Sequence, residues 1–211
     1  MRILLYGATG TLGQRILAEA LDRGHEVTAA GRDPSRIQEA PGVTLREGDV
    51  LDTDSVVELA RGHDVLVSAV GPGHGGDPSF LVEAARSLLT AARFAGVRLV
   101  VVGGAPSREL APGLQPVDTT DFADTWRGLT QAHHDALDLY RATPDSVDWT
   151  YVSPAAAIDL GERTGRYRLN GDQPGTGEQS QSRISAEDFA VALLDEVERA
   201  QHRRQHVTVA Y

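Results

Sequence analysis

The stretch Ile3-Leu4-Leu5-Tyr6-Gly7-Ala8-Thr9-Gly10-Thr11-Leu12-Gly13 decides the fold. Ile3 to Tyr6 is an unbroken apolar run of strand length. From Leu12 to Arg23 the apolar period changes to that of a helix, with Leu12, Ile16, Leu17, Ala20 and Leu21 on one face. Between them lie glycines in a GxxGxxG spacing, at the point where a strand hands over to a helix. Gly7 permits a tight turn, Gly10 lets another group approach the backbone, and Gly13 lets helix and strand pack closely. The helix start then offers N–H groups and a partial positive charge to an anion. A strand, a glycine loop and a helix in this order bind the pyrophosphate of a dinucleotide, through Gly7, Thr9, Gly10, Thr11, Leu12 and Gly13.

Outward from this unit, short apolar runs alternate with helical patterns, as in βαβ units around a parallel sheet. Gly24 stops the first helix. Strands follow at Glu26 to Ala30 and Val43 to Glu47, then a helix at Asp54 to Arg61 and a strand at Asp64 to Val70. A glycine-rich loop (71–76) leads to Asp77 as N-cap and Pro78 as first residue of a helix that runs to Ala95. Val97 to Val102 is the fifth strand, Gly103 to Asp124 a long loop, Trp126 to Arg141 a helix and Trp149 to Val152 the sixth strand. A short strand at Tyr167 to Leu169, a helix capped by Ser185 and a last strand at His206 to Tyr211 complete the chain. The expectation is one α/β domain over 1–211, a Rossmann-type doubly wound parallel sheet. Residues 155–182 form an appended C-terminal substrate lobe.

The 211 residues carry a formal net charge of −10. Such a surface lacks the basic footprint of a nucleic-acid binder. There is no cysteine and no lysine, so thiolate metal sites, disulfides and cysteine or lysine nucleophiles are excluded. His133 and His134 have no histidine partner at metal-binding spacing, and no metal is expected. No stretch reaches the roughly 20 apolar residues of a membrane span. The first apolar run is too short for a secretory leader. A cytoplasmic protein without membrane or nucleic-acid partners is the expectation, and its oligomeric state stays open.

The second strand ends Ala30-Gly31-Arg32-Asp33-Pro34-Ser35-Arg36. Folds selective for NAD place a carboxylate here for the ribose 2′-hydroxyl. Gly31 stands in that place and Arg32 follows, a guanidinium suited to a 2′-phosphate, with Arg36 as a second charge. NADPH is therefore the expected cofactor and NADH the alternative, since Asp33 suits a ribose hydroxyl. After the third strand, Asp49 suits the adenine amino group and Val50 its ring face. A simple turn explains the same residues.

The motifs taken together resemble the atypical short-chain dehydrogenase/reductase family. The branch is that of the NADH-flavin reductases, biliverdin reductase B and the nitrogen-metabolite-repression regulators. The resemblance rests on the glycine loop, Gly48-Asp49, Val101-Val102-Gly103-Gly104-Ala105, Asp148-Trp149-Thr150-Tyr151-Val152-Ser153-Pro154, Gly161-Glu162-Arg163-Thr164-Gly165, and Ser182-Arg183-Ile184-Ser185 with Asp188-Phe189-Ala190. It implies strand order 3-2-1-4-5-6 with helices on both faces. It also implies that Ala69, Val70, Gly71, Gly103, Gly104 and Ser153 border the nicotinamide.

Classical members use a Tyr-x-x-x-Lys pair on the helix before the sixth strand. Here that helix reads Thr130-Gln131-Ala132-His133-His134-Asp135-Ala136-Leu137, and with no lysine in the chain the mechanism is impossible. Ser107, near where relatives place a hydroxyl, and His134 are the candidate catalytic groups. Of two adjacent helical histidines, at most one faces a cleft. His74 lies in the glycine-rich loop near the expected nicotinamide. Asp121, Phe122 and Trp126 suit either covering a flat substrate or pinning their segment to the core, and Glu162, Arg163 and Arg166 suit either an anion or a turn. Hydride transfer between stacked rings requires positioning more than a strong acid. The expected function is reduction of a small flat acceptor, a flavin or quinone, by NADPH. The alternative is a non-catalytic NAD(P)-binding redox sensor or regulator acting through a protein partner.

Overall fold

A computed structural model describes residues 1–37, 39–73, 75–104, 120–171 and 183–211, with backbone alone over 120–126. Its first half runs β1 (Arg2–Tyr6), α1 (Thr11–Asp22), β2 (Glu26–Gly31), β3 (Val43–Glu47), α2 (Thr53–Ala60), β4 (Val65–Ser68) and α3 (Phe80–Ala95). Then follow β5 (Arg98–Val102), α4 (Thr120–Arg141), β6 (Trp149–Pro154), β7 (Ala157–Asp159), β8 (Arg168–Asn170), β9 (Arg183–Ser185), α5 (Ala186–Arg199) and β10 (Gln205–Ala210).

The main sheet has the order β3-β2-β1-β4-β5-β6-β10-β8. It is parallel from β3 to β10, and β8 is antiparallel on the edge. The expected order 3-2-1-4-5-6 is present and two strands extend it. Strand β8 falls inside the expected appended lobe, yet it bonds to β10, with Leu169 opposite Val209. Among the described residues, β7 and β9 form a separate two-stranded sheet. Part of that lobe is thus main-sheet edge, because β10 offers a free hydrogen-bonding side that β8 satisfies.

Both faces of the sheet are covered, which is why its strands read as continuous apolar runs. Ile3 and Leu5 of β1 join a core beneath α1 and α5, with Ile16, Ala20, Phe189 and Leu193. Leu4 and Tyr6 join the opposite core, with Val56, Leu88 and Tyr140 of α2, α3 and α4. Helix α1 ends as the sequence predicts. Gly24 has φ +75°, its N–H donates to the Leu21 carbonyl, and the His25 N–H donates to the Ala20 carbonyl. This pair of bonds closes the helix and favours glycine. Ser185 caps α5 by accepting from the Asp188 N–H at 3.0 Å.

Two boundaries differ from the sequence reading. Helix α3 begins at Phe80 and not at Pro78. The Asp77 carboxylate accepts from the Ser79 N–H at 2.9 Å, and i→i+3 bonds from Phe80 and Leu81 hold a tight turn before the helix proper. Helix α4 starts at Thr120, inside the expected loop, since no proline or glycine interrupts the chain between Pro116 and Gly128.

A buried ionic network closes the sheet edge at the N-terminal ends of β5 and β6. Glu196 of α5, 3% exposed, pairs with the Arg98 guanidinium and accepts from the His202 backbone N–H at 3.1 Å. His202 Nδ1 lies 2.8 Å from its other oxygen. The Thr150 hydroxyl lies 3.2 Å from Glu196 and accepts from Arg98 at 2.8 Å. Among the described residues no helix is long and apolar enough to cross a membrane.

Candidate functional site

The parallel register lines up the other ends of the strands. Tyr6 pairs with Ala30 and with Ser68, Ser68 with Val101, and Val102 with Val152. Gly7, Arg32, Ala69 and Gly103 therefore leave the sheet along one edge, beside the end of β6 that carries Ser153, where ligands bind in open α/β sheets.

The three glycines of the loop serve different purposes. Gly7 has φ +90°, and a Cβ there would stand 2.4 Å from the Ala69 carbonyl oxygen at the end of β4. At Gly13 a Cβ would stand 1.9 Å from the Gly7 carbonyl oxygen, so the close seating of α1 on the loop excludes any side chain. Gly10 is different. Its φ of −78° and ψ of 164° suit any residue, and a Cβ would meet only the Gly7 carbonyl oxygen, at an ordinary 3.4 Å. Protein packing thus requires Gly7 and Gly13 and leaves the space over Gly10 open. Gly10 is also the N-cap of α1, with no side-chain cap and no acidic residue in the first turn. Thr9, Gly10 and Thr11 are exposed, and Leu12 is half-buried. The loop is a cradle into which a Cβ would intrude, backed by a helix N-terminus, and it fits a pyrophosphate.

Arg32 leaves the end of β2 exposed. Arg36, also exposed, lines a groove of about 740 Å³ with Ala8, Gln14 and Arg163 that flanks α1 and the loop. Asp49 Oδ1 accepts from the Leu51 N–H at 3.0 Å, which makes a turn after β3. Val50 is only 5% exposed and packs into the core beside α2 and α3. A Cβ on Gly48 would stand 3.0 Å from the Tyr6 hydroxyl and 2.9 Å from Leu59. Ala69 and Val70 are half-buried behind the glycine loop, and Gly71 is exposed.

At the end of β5 the backbone is shielded by aromatic rings. A Cβ on Gly103 would stand 2.1 Å from the Tyr151 ring, and one on Gly104 would stand 2.5 Å from the His133 ring. His133 Nδ1 is 3.1 Å from the Tyr151 hydroxyl, which also accepts from the Gly104 backbone N–H. Tyr151 packs against Tyr140, with centroids 5.3 Å apart, and meets the edge of His206 at 5.7 Å. Burial pushes the Tyr151 hydroxyl well above the usual phenol range, so it remains a neutral donor. Ser153 is 2% exposed, and its hydroxyl lies 2.9 Å from His206 Nε2, inside the sheet.

The helix turns His133, not the candidate His134, toward the strand ends. His134 is exposed. His133 shares a stripe with the buried Ala136, Leu137 and Tyr140 at i+3, i+4 and i+7, and that spacing was the signal available in the sequence. Ser107 and His74 lie outside the described residues, as do the side chains of Asp121, Phe122 and Trp126. Arg163 is committed elsewhere: its guanidinium bonds Glu19 of α1 at 2.7 and 2.8 Å. Thr164 and Gly165 beside it donate to the buried Asp188.

Burial, aided by the positive charge His134 takes on when protonated, pushes His133 down to about 4. The unfolded ring titrates near 6.5, so as pH falls below 6.5 the unfolded chain takes up a proton that the folded ring refuses. Stability is complete above pH 6.5 and drains away toward pH 4, by about 2 kcal/mol at pH 4.5. Urea unfolding at pH 7.5 and 4.5 measures this loss, and a His133→Asn variant is expected to lack it.

The chain is similar to known proteins in both sequence and fold. A family model described as NAD(P)H-binding matches residues 7–197. The uncharacterized protein YwnB of Bacillus subtilis (strain 168) is 37% identical over 213 residues, covering 99% of this chain and 98% of that protein. A solved structure from Burkholderia pseudomallei, provisionally named an exported protein, is 44% identical with a TM-score of 0.83, and both chains are covered in full. SP1627 of Streptococcus pneumoniae TIGR4, provisionally named an NADH-flavin reductase, is 30% identical with a TM-score of 0.79, covering 100% of this chain and 99% of that one. With a Rossmann sheet, a glycine loop at a helix N-terminus and a family match over most of its length, this chain belongs to the NAD(P)H-binding family.

Proposed function

We propose that this protein is an NADPH-dependent reductase of a small, flat acceptor such as a flavin or a quinone. The open space over Gly10 carries the reading, since packing explains the other two glycines of the loop and leaves this one to a ligand. The N–H groups at the start of α1 and the backbone of Thr9 to Gly13 would hold the pyrophosphate. Arg32 and Arg36 would hold the 2′-phosphate, and Asp49 faces the adenine end. Ala69, Val70 and Gly71, with Gly103 and Gly104, border the nicotinamide end. The bound nicotinamide supplies two electrons and a hydrogen as hydride.

The chain's own contribution is placement. At Gly103 and Gly104 the Tyr151 and His133 rings fill the places a side chain would take, so a planar acceptor would meet the half-buried His133 edge at the end of β5. Tyr151 and His133 back that surface with neutral, hydrogen-bonded groups. With no lysine in the chain, no Tyr–Lys pair is present to protonate an alkoxide. A flavin or quinone suits such a site, because its reduction takes the proton from solvent.

Purified protein is expected to oxidise NADPH with FMN or menadione, with saturation in both substrates and a lower rate on NADH. Cofactor binding without turnover on any flavin or quinone would overturn the reductase reading. Arg32→Ala is expected to weaken NADPH binding by roughly 10-fold or more, the value of a lost charge-assisted pair. NADH binding, measured by the same fluorescence titration, is expected to change little. Equal weakening of both would refute the 2′-phosphate role.

A further inference from the structure

The surroundings of His133 fix the direction of its ring and bear on its tautomer. The Tyr151 hydroxyl accepts from the Gly104 N–H, and its own proton is in reach of His133 Nδ1 at 3.1 Å. With that proton given to Nδ1, the hydrogen of the neutral ring sits on Nε2. Nε2 makes no hydrogen bond among the described residues. The ring lies against Gly104, with Nε2 2.9 Å from where a Cβ would stand. Any side chain at Gly104 would fill the space the ring occupies. The chain thus keeps one backbone position bare and sets beside it an N–H donor without a partner among the described residues, at the strand end that borders the expected nicotinamide.

We propose that His133 binds the acceptor directly: its Nε2–H donates to a carbonyl oxygen of a quinone or flavin, and Tyr151 is the positioning residue that holds the tautomer. This rests on the reductase reading above. A preorganised neutral donor stabilises the negative charge that builds on such an oxygen as electrons arrive. His133 keeps its proton throughout, and solvent supplies the one the reduced acceptor takes up. The titratable groups that face the ring are His134 on its own helix, Tyr151 on β6 and, beyond Tyr151, His206 on β10. The low proton affinity of the ring agrees with the assignment.

Two substitutions separate donation from support. His133→Gln keeps an amide N–H near the place of Nε2, whereas His133→Asn keeps a polar group only near Nδ1, facing Tyr151. With menadione and FMN as probes, His133→Asn is expected to lower kcat/KM by roughly 10-fold or more. His133→Gln is expected to recover most of that loss. NADP⁺ affinity, measured by titration, should stay within about twofold in both. In the ligand-free protein, ¹⁵N shifts of the ring are expected to report the Nε2–H tautomer at neutral pH, and Tyr151→Phe is expected to mix the two tautomers. An Nδ1–H ring, or full activity in His133→Asn, would overturn the proposal and leave the reductase reading standing. No turnover by the wild-type protein would remove both.

Discussion

Gly10→Ala is expected to lower NADPH affinity by roughly 100-fold, or about 2.7 kcal/mol, while the protein stays folded. The backbone at Gly10 is in an extended conformation open to any residue, and a methyl group there would touch only the Gly7 carbonyl oxygen at 3.4 Å. The folded protein loses little beyond the slightly poorer N-cap that alanine makes, about 1 kcal/mol or less. For a chain of this size that moves Tm by about 2–4 °C. The same methyl would fill the space through which a pyrophosphate reaches the N–H groups of α1. Calorimetric titration with NADPH beside a thermal melt measures both effects. Gly13→Ala provides the contrast. Its Cβ would collide with the Gly7 carbonyl oxygen at 1.9 Å, so binding and Tm should fall together. Affinity that survives Gly10→Ala would show that the ligand does not lie over the loop.

Glu196→Ala is expected to destabilise the protein by about 3–5 kcal/mol, the cost of leaving a buried charge without its partner. Arg98 is 9% exposed at its side chain and Glu196 3%. Burial acts to raise the Glu196 carboxyl, but the His202 hydrogen bonds and the Arg98 charge outweigh it and hold the group below its usual range. Removing the carboxylate would leave the buried guanidinium to backbone carbonyls, Thr150 and the more distant Asp148, 3.7 Å away, and free the His202 ring and backbone N–H that now close the α5–β10 connection. Glu196→Gln, which keeps the shape and one acceptor, should lose less. Urea unfolding at neutral pH distinguishes them. A loss under 1 kcal/mol for alanine would mean that water reaches Arg98. NADPH affinity in the folded fraction should not change, because this network closes the opposite edge of the sheet from the glycine loop.

The parts of the fold legible in the sequence are those where backbone geometry permits few residues. β1 could be read because burial on both faces demands an apolar run. The glycine loop could be read because two of its three positions tolerate no Cβ. Gly24 and Ser185 marked helix ends through local hydrogen bonds that a short window contains. Less was legible where the deciding partner is remote in sequence. β8 is three residues long, and it is a main-sheet strand only because β10, near the chain's end, leaves an edge for it. Asp77 is a local exception: it caps a turn rather than the helix, and its partner Ser79 is only two residues away. His133 and His134 are neighbours, and the core beneath α4 selects between them through Ala136, Leu137 and Tyr140. The commitment of Arg163 to Glu19 spans 144 positions and has no local signature.

Titration of ¹⁵N-labelled protein with NADP⁺, followed on the backbone amides, tests the central claim most directly. The account predicts that Gly10, Thr11, Leu12 and Gly13 shift together with Arg32, Gly103 and Gly104 along a single saturation curve. The ligand would then span the strand ends from β2 to β5. Saturable shifts confined to residues away from that edge, or no shifts at all, would contradict it.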